Sequence, residues 1–438
     1  MRRPPATVAA AAFAAGLSAP AFADASVLDL FGYGARGMAL AGAAASTAEG
    51  HAAVYYNPGA LGFERHRSFT LGYQHAVFDL TIDKRAQPAA SAPSLNLGFV
   101  VPLPLGGFLT DRLTVGAAFV IPFKSILVAD VPRPGNPSLV LLENRAQTVS
   151  LQLAMGVRLC DAVAIGGGFI ALAELGGKID VAPNETGRIG STVRDELLAD
   201  YAPTGGVLLR PGHGVRAALV ARGESKASFS LPLDANLGAT FPLPIPPLDI
   251  TGVAQYDPRQ VAFEISGRPS LTPESDGSDS KGGPFTISGG ATWKQWSRFP
   301  RTIVYTAVRS GDPAQPKPDF GDTFVVRTGL EGHFSAAGLG LEPRLGYAFE
   351  PSPAPPQTGM RNDLDNDRHI LGTGIGISWD VLRLDVAFQW HHLAPRTEHK
   401  LAGDPMPAIA PATDAVAPGT IAHAGDIYAW GVEIGVTL

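Results

Sequence analysis

The sequence predicts an all-β fold, a transmembrane antiparallel β-barrel of about fourteen strands with an N-terminal plug in its lumen. Three observations predict it: an export signal, apolar side chains that alternate with a two-residue period, and no helix-length apolar stretch after the signal. Charged residues make up only 17% of the chain, which holds 51 Gly and 38 Pro. This composition suits many strands joined by turns better than a helical protein.

The N-terminus has the pattern of a secretory signal peptide. Arg2 and Arg3 precede an almost unbroken run of small apolar residues over 6–19. Ala21-Phe22-Ala23 then forms an A-x-A cleavage site, which predicts a signal peptide over residues 1–23 and a mature chain from Asp24. An uncleaved anchor is the alternative, but the run is rich in alanine and barely long enough to span a membrane.

Composition and cysteine content exclude several classes of protein. The formal charge of -6 provides no basic surface for nucleic acid, so we expect no nucleic-acid partner. The single cysteine, Cys160, excludes an intramolecular disulfide framework. No stretch of about 18 apolar residues follows Asp24, so a transmembrane helix is not expected. A closed sheet is one way to stabilise an exported chain of this kind.

The alternation is clearest in the last segment of the chain. One face carries large apolar side chains and the other carries small or polar ones; the first set is Tyr428, Trp430, Val432, Ile434, Val436 and Leu438. Such faces run for about nine to twelve residues, the length of a tilted membrane-spanning strand. Several end in aromatic residues, as interface girdles do. A soluble sandwich also alternates, but in hydrocarbon only a closed barrel pairs every backbone group of a sheet.

An even number of strands returns both ends of the sheet to the periplasmic side. The predicted strands are about 66–82, 94–103, 112–123, 145–159, 162–178, 203–211, 215–229, 258–268, 284–297, 322–333, 341–350, 368–379, 381–391 and 426–438. Short turns then lie inside the cell envelope, and long irregular segments lie outside the cell. Those segments are about 124–144, 179–202, 230–257, 298–321, 351–367 and 392–425.

Residues 24–65 do not alternate and are rich in Gly and Ala. Small residues allow close packing against surrounding walls, and Asn57-Pro58 fixes a bend. Two interpretations stay open at this point: a periplasmic tail, or a plug folded inside the lumen.

Several motifs resemble the FadL-type family of long-chain fatty acid transporters. Gly32-x-Gly34-Ala35-Arg36-Gly37 and Tyr55-Tyr56-Asn57-Pro58 look like that family's hatch, and Trp293-Lys294-Gln295-Trp296-Ser297 resembles its W-x-x-W-S element. Arg344-Leu345-Gly346-Tyr347 and Asp365-Asn366-Asp367-Arg368-His369 resemble its later R-x-G-Y and D-x-D-R-H elements. The elements follow the family's order along the whole mature chain.

The resemblance implies a barrel over residues 66–438, plugged by a hatch over 24–65, in the Gram-negative outer membrane. It implies passive uptake of long-chain fatty acids or other hydrophobic compounds, with capture at the outer face and sideways exit at a kinked strand. Hydrophobic small molecules, outer-membrane lipid and lipopolysaccharide are the implied partners. No cofactor, metal or enzymatic activity is expected.

The same resemblance predicts several site residues. We expect Asn57, Pro58 and Gly59 to form the hatch bend, although Gly59 stands where the family usually has Ala. Arg36 is expected to anchor the hatch through a lumen carboxylate, with an acidic ligand as the alternative partner. The family places its kink in the third strand, where Gly116, Ala117 and Pro122 are candidates for a break in pairing.

Other polar clusters favour no catalytic chemistry. His391-His392 has no accompanying serine motif, and the aspartates at 363, 365 and 367 lack the glycine and glutamate of an EF-hand. A cation bridging that outer loop to lipopolysaccharide stays open. The main alternative function is a structural or adhesive barrel that binds a partner through its long loops. A general porin and an enzyme are weaker alternatives.

Overall fold

The computed structural model describes residues 27–87, 89, 91–123, 137–142, 149–183, 189–235, 248–269, 283–300, 303–305, 316–359, 361–401 and 419–438. The predicted signal peptide, 1–23, lies outside this range. No helix in the described ranges has the length and apolar character needed to cross a bilayer.

Fourteen antiparallel strands close into one barrel, as the alternation predicted. They are β1 Ser68–Ile82, β2 Ser94–Pro102, β3 Leu113–Pro122, β4 Ser150–Cys160, β5 Val163–Pro183, β6 Ile189–Gly212, β7 Val215–Arg222, β8 Gln260–Gly267, β9 Phe285–Lys294, β10 Thr323–Gly332, β11 Leu339–Glu350, β12 Arg368–Trp379, β13 Leu382–His399 and β14 Thr420–Thr437. Each strand pairs with its neighbours in the chain. β1 also pairs with β14, from Ser68 opposite Thr437 to Ile82 opposite His423, which closes the cylinder.

Five further strands in the described ranges extend the hairpins. They are Arg85–Ala86, Ser225–Ala235, Leu248–Asp257, Ile303–Tyr305 and Phe334–Ala336. Four predicted outer segments are therefore wrong in part: strand structure continues through much of 179–202, through 230–235 and 248–257, through 303–305 and through 392–399. Polar residues interrupt the apolar period there, but backbone pairing with a neighbouring strand does not require an apolar face.

The outer surface of the barrel is apolar and its inner surface is mixed. In β14, Tyr428, Trp430, Val432 and Ile434 are exposed, whereas Ala429 and Glu433 between them are buried. The same two-residue pattern holds in β1, β3 and β13. Such strands present a continuous hydrocarbon-compatible band outward and direct every second side chain into the lumen.

The two ends of the barrel differ. At one end, here called the terminus end, β1 begins and β14 ends, and tight turns with positive φ lie at Asp111, His213 and Asp380. The opposite end, here called the loop end, carries the long connections, including the ordered segment 351–367. The connection 268–284 between β8 and β9 is an exception to the expected rule, because it is long and leaves from the terminus end.

Residues 27–65, here called the N-terminal segment, precede β1 and form short helical turns instead of a strand. They comprise helices Val27–Phe31, Gly34–Ala39 and Ala52–Tyr56 and the 3-10 helix Pro58–Phe63. Two further 3-10 helices are Gly107–Leu109 and Trp296–Arg298. Gly34 begins the second helix and Gly42 follows its end, with φ of +77° and +81°. Residues that carry a Cβ rarely adopt this left-handed conformation. Most of the N-terminal segment is buried.

Candidate functional site

The bend of the N-terminal segment is fixed by Asn57, which is fully buried. Its Nδ2 donates to the carbonyl oxygens of Ala45 at 3.1 Å and Val207 at 3.2 Å. Its Oδ1 accepts from the backbone N–H of Gly59 at 3.0 Å. Pro58 occupies the first turn of the 3-10 helix, where its missing N–H costs nothing. One side chain thus joins two parts of the segment to β6.

The bend sits backbone-to-backbone against β4, β5 and β6, which requires glycine on both sides. A Cβ on Gly166 would lie 2.2 Å from the carbonyl oxygen of Pro58, and one on Gly206 would lie 2.2 Å from Asn57 Oδ1. A Cβ on Gly59 would lie 2.8 Å from the carbonyl oxygen of Gly206. Gly59 is therefore a close-approach residue in this chain. Gly166, in the run Gly166-Gly167-Gly168, supplies part of this contact.

Arg36 lies on the opposite side of the lumen and is 8% exposed. Its Nε and Nη2 donate to the two carboxylate oxygens of Glu331 on β10 at 2.9 and 2.6 Å, and its Nη1 donates to the carbonyl of Thr47 at 3.0 Å. Burial disfavours the charged guanidinium, but the charges of Glu331 and Glu49 outweigh burial and raise the pKa of Arg36. Arg36 is thus paired with a wall carboxylate, and its role as an anchor remains a prediction.

A buried ion-pair network surrounds that contact. Arg344 on β11 donates to Glu331 at 2.7 Å, to Asp385 at 2.6 Å and to Glu342 at 2.6 Å. Arg383 on β13 pairs with the last two at 2.7 and 2.5 Å. Sequence reasoning did not single these residues out as a group. The available signal was the presence of charges at inward positions of alternating strands, because charged side chains inside a barrel commonly pair with one another.

A second network lies between the first helix of the N-terminal segment and the wall. Lys294 Nζ on β9 contacts Asp29 Oδ1 at 3.0 Å and Glu350 Oε1 at 2.7 Å, and Arg368 Nη2 contacts the same Glu350 oxygen at 3.2 Å. Gln260 also donates to Asp29 at 3.0 Å. Charges from four parts of the chain therefore hold the start of the described segment in place.

Carboxylates on two further strands bind the N-terminal segment. Glu264 on β8 accepts from both the N–H and the Oγ of Ser46 at 2.8 and 2.6 Å. Glu433 on β14 lies 3.2 Å from His51 Nε2 and accepts from the N–H of Ala35 at 3.3 Å. Contacts to β6, β8, β10 and β14 thus reach the segment from around the ring of strands.

A small cavity of about 70 Å³ lies between the first helix and β7–β11. Its lining combines the apolar residues Leu28 and Phe31 with Arg222 and Arg327 and with acidic residues; the acidic residues are Asp29, Glu264 and Glu350. A cavity of about 150 Å³ is known to admit benzene, so this one is too small for an aromatic ring or an alkyl chain without movement.

The two arginines of this cavity hydrogen-bond to uncharged groups. Arg222 donates to the carbonyl of Tyr55 at 2.8 Å and to Gln260 Oε1 at 3.2 Å, and it lies 4.2 Å from the centre of the Tyr55 ring. Arg327 donates to Thr292 Oγ1 at 2.8 Å. Among the residues that the structure describes, neither guanidinium has a carboxylate at ion-pair distance, although acidic residues line the same cavity.

The third strand keeps its pairing on both sides at two of the three candidate kink residues. Gly116 and Ala117 are paired with β2 and with β4 without a register shift. Pro122 is paired with Ser94 on β2, and the described ladder with β4 ends at Val120 opposite Ser150. A Cβ on Gly116 would lie 2.5 Å from Val54 Cγ2, so that glycine makes room for the N-terminal segment. The proposed sideways exit remains a prediction.

The remaining polar clusters have structural surroundings. His391 faces the lumen, with Nε2 2.8 Å from Gln389 Oε1, and His392 faces outward beside Asp426 at 3.0 Å. Asp363 is buried in the loop-end segment, where burial raises its pKa to about 6. Within the described ranges, no group of three or more His, Cys, Asp or Glu side chains is arranged to hold a metal ion.

Comparison with known proteins identifies the architecture. No protein-family model matches the chain, and no curated protein is detectably similar in sequence. Solved structures do match. A Pseudomonas aeruginosa FadL homologue aligns at 13% identity over 92% of this chain and 98% of its own, with a TM-score of 0.57. The P. putida toluene transporter TodX aligns at 13% identity over 94% and 99%, with a TM-score of 0.53.

A third solved structure agrees with these two. The Ralstonia pickettii toluene transporter TbuX aligns at 13% identity over 93% of this chain and 99% of its own, with a TM-score of 0.51. The strand number, the closure of the sheet and the near-complete coverage of each structure agree with one another. The chain has the fold of the FadL-type transporters over nearly its whole length.

Proposed function

We propose that this chain is an outer-membrane channel for the passive uptake of hydrophobic small molecules, and that its ligands include long-chain fatty acids. The observation that carries the proposal is a closed barrel of FadL-type fold whose lumen contains buried, multiply bonded residues of the chain's own N-terminal segment. An apolar outer band supports a membrane location. Packing of the segment against several strands supports a plug over a periplasmic tail.

Cavity size favours hydrophobic uptake over a general porin. A porin keeps an aqueous channel open along its axis. In the described part of this chain, a cavity of about 230 Å³ lies below the N-terminal segment at the terminus end, and one of about 70 Å³ lies above it. The ion pairs of Arg36 and Lys294 lie between the segment and the wall. A polar solute therefore meets a plugged lumen.

The arginines of this cavity favour an apolar acid among the possible ligands. A guanidinium beside Leu28 and Phe31 forms charge-assisted hydrogen bonds to a carboxylate, which are stronger than neutral ones. Because acidic residues of the protein line the same cavity, a ligand carboxylate competes with them. Arg222 and Arg327 border the same cavity and lack carboxylate partners among the described residues. Neutral aromatic hydrocarbons would use the apolar lining without the two charges. The cavity must enlarge for either class.

The test is uptake by a Gram-negative host that lacks its own fatty-acid channel. We expect expression of this chain to restore uptake of radiolabelled oleate without raising the passage of small sugars. Replacing both arginines, as Arg222→Met with Arg327→Met, should reduce oleate uptake about tenfold while toluene uptake changes less than twofold. Oleate uptake equal to that of the empty host, with the barrel present in the outer membrane, would refute the proposal.

A further inference from the structure

One wall of the lumen contains buried polar side chains with atoms that no described residue satisfies. Gln74 on β1, Ser94 and Asn96 on β2, and Ser150 and Gln152 on β4 all point inward and are at most 5% exposed. We call these five residues the neutral wall patch. Six of their polar atoms lack a hydrogen-bond partner within the described part of the chain: Gln74 Nε2, Ser94 Oγ, Asn96 Oδ1, Ser150 Oγ and both Gln152 amide atoms.

Strand register places these side chains side by side. Gln74 is paired with Ser94 across β1 and β2. Asn96 is paired with Val120, which is paired with Ser150 across β3. Gln152 lies opposite Ala118 in the next inward row. Within the patch the structure gives one mutual bond, from Asn96 Nδ2 to Gln74 Oε1 at 3.2 Å. The five side chains therefore lie close together on one wall, and only Ala118 and Val120 of β3 lie between the members on β2 and those on β4.

Elsewhere in the same lumen a glutamine is satisfied. Gln389 on β13 donates from Nε2 to the carbonyl of Met38 at 3.2 Å, and its Oε1 lies 2.8 Å from His391 Nε2. The glutamines of the patch have the same burial and no such partners from the N-terminal segment. Since an unpaired buried amide costs free energy, a row of them serves no structural purpose unless another molecule completes it.

We propose, on the basis of the uptake function above, that the neutral wall patch binds the hydroxyl or carbonyl group of an otherwise apolar ligand. The patch carries amides and hydroxyls and no formal charge, so it satisfies donors and acceptors without favouring an ion. It lies on β1–β4, whereas Arg222 and Arg327 lie on β7 and β10. The lumen thus offers a charged position for acids and a separate neutral one for alcohols, phenols or ketones.

The alternative is that only water occupies the patch. A comparison of two ligands, one with a hydroxyl group and one without, distinguishes this alternative from ligand binding at the patch. Purified full-length protein in detergent is loaded with the neutral fluorophore N-phenyl-1-naphthylamine, which is then displaced by 1-decanol or by n-decane. The variant Gln152→Met keeps side-chain length and removes the amide of the patch whose two polar atoms both lack partners among the described residues. We expect its affinity for decanol to fall about fivefold, since each lost hydrogen bond weakens binding about fivefold, and its affinity for decane to change less than twofold.

A second variant and a matched control guard against misfolding. Ser150→Ala is the milder change and should lower decanol affinity a few-fold. Gln389→Met removes a partnered amide, so it should lower the thermal unfolding midpoint, whereas the patch variants should keep or raise it. Equal loss of decanol and decane, or unchanged decanol affinity, would overturn the inference while leaving hydrophobic uptake intact. Failure of the wild-type protein to bind the fluorophore or either displacing ligand would instead refute both.

Discussion

Replacing Arg36 by leucine should release the N-terminal segment from the β10 wall. Both carboxylate oxygens of Glu331 accept from this guanidinium, and the two side chains are 9% and 5% exposed, so solvent screens the pair little. Removing one partner of a buried pair costs ~3–5 kcal/mol. Arg344 still bonds to Glu331 at 2.7 Å, so we take the lower value, ~3 kcal/mol. That corresponds to roughly a hundredfold increase in local opening.

Hydrogen exchange measured by mass spectrometry in detergent micelles follows this opening. In Arg36→Leu, the amides of residues 34–47 should exchange roughly a hundredfold faster, because they open with the segment. Amides of β12–β14 should be unchanged, since their ladder bonds do not depend on this contact. Arg36→Lys should lie between, because a lysine keeps the charge and loses the two-oxygen geometry.

The matched control is Arg85→Leu, on an exposed hairpin at the loop end. It removes the same charge without touching the lumen and should leave exchange at 34–47 unaltered. Unchanged exchange in Arg36→Leu, or equal acceleration in the barrel strands, would show that the ion pair does not hold the segment.

Three further predictions concern packing and pH. Gly166→Ala should loosen the bend and destabilise the packing of the segment by ~1–3 kcal/mol, because its Cβ would lie 2.2 Å from backbone. The control Gly167→Ala, whose outward Cβ would have 3.6 Å of clearance, should have no such effect. Hydrogen exchange at residues 57–63 tests both variants. Burial acts to lower the pKa of His51, but the charge of Glu433 raises it above the ordinary value. Protonated His51 therefore stabilises the segment fully below about pH 6.5, and this contribution is lost as the pH rises through the folded-state pKa. His51→Gln should abolish the pH dependence of hydrogen exchange in the segment, once exchange rates are corrected for their intrinsic pH dependence. Burial raises the pKa of Asp363 to about 6, so the stability of the loop end should decrease as the pH rises from about 4 to about 6. Asp363→Asn should remove this decrease, as measured by thermal unfolding at each pH.

The sequence was sufficient to predict the barrel because membrane-spanning strands obey a strict local rule. The fourteen predicted strands coincide with the fourteen observed, and 368–379 agrees at both ends. Errors occur where the rule does not apply. β13 continues to His399 and β6 begins at Ile189, beyond the predicted ends, since pairing there continues past the apolar period.

The interior could be predicted only by residue type. The presence of Arg36 and Arg344 at non-lipid positions indicates that partners exist, but alternation within a strand does not identify the strand across the lumen. Gly206 shows the same limit: its sequence gives no sign that Asn57 occupies the space of its missing side chain. The neutral wall patch was not predicted either, because an unpaired glutamine and a paired one look the same in a sequence.

The pairing of β3 at Gly116 and Ala117 has an energetic consequence for anything that leaves through the wall. Both residues are paired with the strands on both sides, within the apolar band. A backbone group separated from its partner in hydrocarbon costs several kcal/mol, so parting even a few neighbouring pairs there would be far beyond thermal fluctuation. Sideways release from this conformation therefore requires a substitute partner for each separated amide and carbonyl, whether a departing solute, a lipid headgroup or water drawn in with it.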